Sequence, residues 1–157
     1  MKKMQMLHQY LLGTGLVNAE QLNTIVTEGT VVFHAIGSPD DDVAFNRHYT
    51  VQLNISAYGG NVDKLDAALV WWLSLYQPEL AGDANGYGFE ADIVSSETVN
   101  LYALLPLTER VRYDRASDSM LNCVTPLVLD GANFPVVPMF VEDAMTGETW
   151  EVGRDAG

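Results

Sequence analysis

FNRHYTVQLNISAYGGNVDKLDAALVWWLSLYQPEL, residues 45–80, reads as a long strand, a Gly-Gly turn and a well-terminated helix. Phe45, Tyr49, Val51, Leu53, Ile55 and Ala57 alternate with Asn46, His48, Thr50, Gln52, Asn54 and Ser56, and Arg47 is the one break in the apolar set. That period of two belongs to a strand with one face in a core. Gly59 and Gly60 then allow the chain to reverse, Asn61 stands where an N-cap belongs, and Asp63 suits the positive end of a helix. The helix is expected over about 61–76. Val62, Leu65, Leu69, Trp72 and Tyr76 recur at spacings of three and four, and Pro78 ends the run because the residue before proline avoids helical angles. Ala67, Ala68, Val70, Trp71, Leu73 and Leu75 make its other sides apolar as well, so a second buried contact is implied.

Working outward, Met4, Leu7 and Leu11 have helical spacing and Gly13 with Gly15 closes the segment, a short amphipathic helix. Residues 23–26 and 30–36 are β-branched runs around Glu28-Gly29, which predicts a hairpin. Residues 37–42, GSPDDD, form a loop whose Asp40, Asp41 and Asp42 are either simply solvated or a repulsive acidic lining. After the helix, residues 81–88 are turn-rich, a strand is expected from about 88 to 94, and a longer one from Val99 through Leu107, Val111 and Tyr113. Pro106 lacks a backbone donor, so it marks an edge or a bulge in that strand. Arg110, Arg112 and Arg115 place three of the eight basic residues within six positions, either as a solvated strand face paired with carboxylates or as a basic ridge for an acidic neighbour. Prolines 126, 135 and 138 with Gly131 spoil regular structure over about 116–138, and 139–144 with 148–152 predict a closing hairpin carrying Phe140 and Trp150.

The expected fold is therefore α+β: a largely antiparallel sheet with one main helix on a face, a short N-terminal helix and a C-terminal hairpin arm. It forms one domain overall, with a core over 1–115, an irregular link over 116–138 and the arm over 139–157. At 157 residues the chain is long enough to bury a core without staples.

Charge narrows function. With 21 acidic against 8 basic residues the chain carries −13 at neutral pH, which disfavours attachment to nucleic acid or anionic lipid. No stretch approaches 18 apolar residues, and the N-terminal run is interrupted by Gln5, His8, Gln9 and Gly13, so neither a membrane span nor a secretion signal is expected. A single Cys123 cannot form an internal disulfide and reads as a small buried hydrophobe. His8, His34 and His48 fall outside metal-ligand spacing, no G-x-S-x-G elbow occurs, and the glycines at 59–60 and 82–88 lack the Lys-Ser/Thr of a phosphate loop. Carboxylate pairs such as Glu90 and Asp92 are explained by same-face spacing on a strand. No cofactor, metal or catalytic constellation is expected.

Several segments together resemble the tail-completion protein R family of contractile-tailed bacteriophages: YTVQLNISA (49–57), GNVDKL (60–65), WLSLYQPEL (72–80), GFEADIV (88–94), LPLTERVRY (105–113) and a closing WEV (150–152). The resemblance runs in register from about Leu22 to Tyr113 and more loosely at the end of the chain, and departs at Pro106, the 95–97 turn and the longer 116–138 segment. It implies a structural virion protein, assembled in the host cytoplasm, that caps the finished tail tube and helps join tail to head. A homohexameric ring is implied, touching the tail tube protein and, further out, sheath and head-tail connector proteins, with genomic DNA passing unbound. An acidic bore fits such a conduit, because fixed negative charge repels phosphate; Asp40, Asp41 and Asp42 are candidates for it. Arg110, Arg112 and Arg115, with the Phe140 and Trp150 arm, are candidates for the subunit or tube contacts. The alternatives are a neck or baseplate component of the same tail, or a small ligand-binding or hydrolytic domain with a convergent polar pocket.

Overall fold

A computed structural model describes residues 1–82, 85–123, 139–142 and 149–152. Helix α1 (Lys2–Gly13) leads into strand β1 (Leu22–Phe33), then β2 (Val43–Tyr58), helix α2 (Val62–Tyr76), a 3-10 turn (Pro78–Leu80), β3 (Gly88–Ile93), β4 (Val99–Asp114) and β5 (Ser119–Cys123). A separate antiparallel pair, β6 (Met139–Glu142) with β7 (Thr149–Val152), follows. The main sheet is antiparallel throughout in the order β1-β2-β4-β3, and β5 shares the far edge of β4 with β3.

The alternation read from residues 45–57 is the alternation of the sheet. Tyr49, Val51, Leu53 and Ile55 of β2 and Leu101, Ala103, Leu105 and Leu107 of β4 are buried on one face. Leu7 and Leu11 of α1 and Leu65, Leu69, Trp72 and Leu73 of α2 cover that face and complete one core. Each of these large side chains, fully withdrawn from water, contributes about 1.5–3 kcal/mol of transfer free energy. The two layers are therefore a helix pair on one face of the sheet, the α+β arrangement expected.

Local chemistry explains the elements. The Asn61 side chain accepts the Lys64 N–H at 3.3 Å and caps α2, Asp63 lies in its first turn, and the helix stops at Tyr76 before Pro78. Gly60 is required by close approach rather than by an unusual backbone angle: a Cβ there would lie 2.6 Å from the Tyr58 hydroxyl. The strained residue of that turn is Ala57, at φ 48°, where the β2–β4 register shifts between Ile55 and Tyr58. The apolar excess on α2 is partly absorbed by α1, whose Tyr10 stacks on Trp71 with ring centroids 5.2 Å apart and donates to the Ala68 carbonyl at 3.1 Å. Val70 remains half exposed.

Two sequence expectations give way. The predicted hairpin around Glu28-Gly29 is instead one continuous strand, because β2 is 16 residues long and offers β1 a partner along its whole length. Thr27 is absorbed as a bulge between Val26 and Glu28, which restores Val31 and Phe33 to the face of Val26. The segment expected to be irregular from 116 also yields a strand at Ser119–Cys123, hairpinned onto Arg110–Asp114. Residues 124–138 lie outside the described residues.

Pro106 sits where its missing donor costs nothing. Along the far edge of β4, β3 covers 99–104 and β5 covers 110–114, leaving 105–109 without a strand. The next N–H pointing the same way, that of Thr108, is taken by the Gln77 side chain at 2.8 Å.

Candidate functional site

The Gln77 contact belongs to a polar cluster under the first turn of α1. Glu109, in the apolar register of β4, is only 1% exposed. Its Oε1 accepts the Lys3 main-chain N–H at 2.5 Å and the Tyr49 hydroxyl at 2.6 Å, while Arg47 Nη1 stands 3.6 Å from Oε2. Met1, the N-cap of α1, offers no side-chain cap, so a carboxylate from a distant strand does that work. The Lys3 ammonium donates to the Tyr76 carbonyl and, at 3.0 Å, to Gln77 Oε1. Gln77 in turn donates to Glu79 at 2.9 Å. Burial holds the Lys3 pKa below its ordinary value against the opposing pull of Glu79 and Glu109, and burial followed by the Glu109 bond pushes the Tyr49 hydroxyl up.

Sequence reading missed this cluster, though two breaks pointed to it. Arg47 interrupts the apolar face of β2 and Glu109 interrupts that of β4, and the two are direct cross-strand partners. Opposite charges at matching breaks of two paired strands identify a buried ion pair. Lys3 was hidden because it occupies the Leu7 and Leu11 stripe, one turn earlier.

The structure brings the acidic loop and the arginines together within one chain. Arg112 holds Asp42 through Nη2 at 2.5 Å and Nε at 3.1 Å, and Arg115 donates to the Pro39 carbonyl. Asp41 turns inward on its own loop, accepting the Ser38 N–H at 2.8 Å. Asp40 and Asp41 are exposed. Arg110 is also exposed, between cross-strand neighbours Asn46 and Cys123, and has no ion-pair partner among the described residues. Phe140 and Trp150 lie opposite Glu151 and Val141 in the β6–β7 register.

The Arg112 hydrogen bonds hold the Asp42 carboxyl below its ordinary value of 3.8. A carboxylate with a depressed native pKa contributes above the unfolded value and loses that contribution as pH falls through the native one. An NMR titration is expected to place the Asp42 midpoint below 3.8, and Arg112→Ala to return it to the ordinary value. The pair is solvent-facing, so the thermal midpoint of the protein should move little in that variant.

An open groove of about 760 Å³ lies between α1 and α2, lined by Met6, Gln9, Tyr10, Trp71, Trp72 and Tyr76 with Lys2 and Gln5 at its margin. No carboxylate, histidine or cysteine lines it. Among the described residues no group of three His, Cys, Asp or Glu side chains could hold a metal ion, and no helix is long and apolar enough to cross a membrane.

Fold and cluster together define a two-layer α+β domain whose buried charges fasten a helix to a sheet and whose outward features are sheet edges and an arginine-tethered acidic loop. The chain belongs to the P2 phage tail completion protein R (GpR) family, whose model matches residues 1–126, from α1 past the end of β5. It is thereby a bacteriophage tail protein. Tail completion protein R of Escherichia phage P2 is 27% identical over 97 residues, 59% of this chain and 60% of that protein, so the match spans about three fifths of the relative's length. No solved structure matches the chain. The WLSLYQPEL and LPLTERVRY stretches meet physically, since Gln77 from one and Glu109 from the other both bind Lys3.

Proposed function

We propose that the protein completes the tail by capping the head-proximal end of the tail tube as a homohexameric ring, and takes part in joining tail to head. The observation that carries this reading is the family match across residues 1–126, together with a sheet that exposes apolar side chains on both of its edge strands. The role is structural, without a reaction or a cofactor. The ring meets the tail tube protein on one side and sheath or head-tail connector proteins on others, in the virion tail, after assembly in the host cytoplasm. The chain's −13 charge suits a bore through which DNA passes without adhering. Because Asp42 is neutralised by Arg112, Asp40 and Asp41 are the members of the loop left to line it. For the same reason the arginine ridge resolves into two tethers, Arg112 and Arg115, and one exposed cation, Arg110, suited to a neighbour's carboxylate. The hairpin bearing Phe140 and Trp150 is the arm that reaches the adjacent subunit or the tube.

Gold-labelled antibody on isolated tails tests the placement. Label at the head-proximal end is expected; label at the baseplate end discards the cap. Arg110→Glu is expected to weaken assembly several-fold at low salt and less at high salt, where screening already removes the attraction. Oligomer mass unchanged at low salt would remove Arg110 from the interface.

A further inference from the structure

The helices cover only part of the sheet. The core rows on β2 and β4 span Tyr49 to Tyr58 and Leu101 to Leu107, and beyond them β1, β2, β4 and β5 run on as a tip whose middle is still buried at Val111, 2% exposed, and whose two flanks are open. On the helix-side face of that tip stand Val31, Phe33 and Met120, 50%, 68% and 56% exposed. The same face of β3, at the opposite edge, carries Phe89 and Ile93, 66% and 83% exposed, with Val94 following. Both β1 and β3 end the sheet, so both present free backbone donors and acceptors, and neither edge strand carries a proline or lysine to discourage pairing.

These two patches are similar in size, and each offers a partner for an unpaired charge of the other. With about 150–250 Å² for a fully exposed aromatic side chain, each sums to roughly 300 Å² of apolar surface, the tip's share being divided between Val31 and Phe33 on β1 and Met120 on β5. Brought together, and at an apolar share of about 56–65%, they make an interface of roughly 1,000 Å², the lower bound for a specific contact. On the outer face of the tip Arg110 stands without an ion pair, and on the outer face of β3 Glu90 and Asp92 are exposed and also without one among the described residues.

We infer that the tip of one copy, through Val31, Phe33 and Met120, docks on the β3 flank of the next, through Phe89 and Ile93. The inference rests on the ring reading and deepens it by naming its subunit contact. The two patches are different surfaces on one molecule, so the contact is heterologous and propagates, closing into a ring when the rotation allows. The strands also agree in direction: β1 and β3 are antiparallel, so a neighbour in the same orientation, shifted along the strand axis toward the tip, offers β3 to β1 in the antiparallel sense.

Complementation of two full-length variants tests it. Phe33→Asp damages only the tip and Phe89→Asp only the flank, and both positions are exposed, so both variants should keep the wild-type thermal midpoint; Phe33→Ser and Phe89→Ser serve if they do not. Each alone is expected to run as a monomer by light scattering at concentrations where wild type assembles, with at least a 100-fold weaker self-association. Mixed one to one, they should form a dimer and nothing larger, because one intact tip and one intact flank remain. A wild-type oligomer whose mass neither variant changes overturns this contact and leaves the ring standing. Wild type that stays monomeric even on tail tubes overturns the ring itself. A monomer whose outward-facing β1 and β3 amides, those not bonded to β2 or β4, resist hydrogen exchange shows that the same chain covers the edges, which also overturns the contact.

Discussion

Glu109→Ala is expected to destabilise the protein by about 3–5 kcal/mol, because it removes one partner of a buried charged cluster and leaves the others behind. The Lys3 N–H and the Tyr49 hydroxyl both lose their acceptor, and Arg47 loses its counter-charge. At a few degrees per kcal/mol, the thermal midpoint should fall by roughly 10 °C. The loss should be local in origin: hydrogen exchange is expected to report early opening of α1, since Glu109 supplies the cap that Met1 does not. Glu109→Gln, which keeps an acceptor oxygen, should cost less. Replacing both members of the ion pair by apolar residues, as in Glu109→Leu with Arg47→Leu, should recover part of the single-variant loss, since the charge is then absent rather than unpaired. A Glu109→Ala protein with an unchanged urea midpoint would mean that the carboxylate does not hold α1.

Trp72→Ala is the second large effect. Trp72 is 1% exposed, lies in the core between α2 and the sheet, and packs on Tyr76 with ring centroids 4.8 Å apart. Truncation removes the transfer free energy of the indole and leaves a cavity that two helices cannot readily close, about 3–5 kcal/mol in all. Against a total stability of about 5–15 kcal/mol, that is a fifth at the least and most of it at the low end, and soluble expression is expected to fall sharply. A purified variant with an unchanged thermal midpoint would refute the core assignment. The neighbouring Trp71 is half-buried on the α1 side, so Trp71→Ala should be milder and should loosen α1 rather than the whole domain.

Sequence carried the strands and helices wherever a periodic pattern met a chemical terminator. Residues 45–57 alternate, Asn61 caps and Pro78 stops, and β2 and α2 fall there. It failed where the deciding factor was a partner strand. Glu28-Gly29 has the composition of a turn, but the extended backbone is the better choice once β2 lies alongside, and a bulge at Thr27 mends the register. Ser119–Cys123 has little apolar periodicity, and forms a strand because β4 offers it an open edge. The arginine ridge was visible as composition, while its use was not: that Arg112 and Arg115 fold back on residues 39–42 depends on the β4–β2 register, which brings Arg112 opposite Ala44 at the foot of that loop. The buried cluster was the reverse case. Its two breaks in periodicity, Arg47 and Glu109, stood in plain view, and only the pairing that makes them neighbours was missing.

Everything functional here depends on the chain working as one member of an assembly on a tail tube. Cryo-electron microscopy of the purified protein, alone and mixed with tail tubes, tests that most directly. A closed annulus seated on one end of the tube, with residues 39–42 toward its bore, is the predicted image. Solitary particles that leave both ends of the tube bare would contradict it.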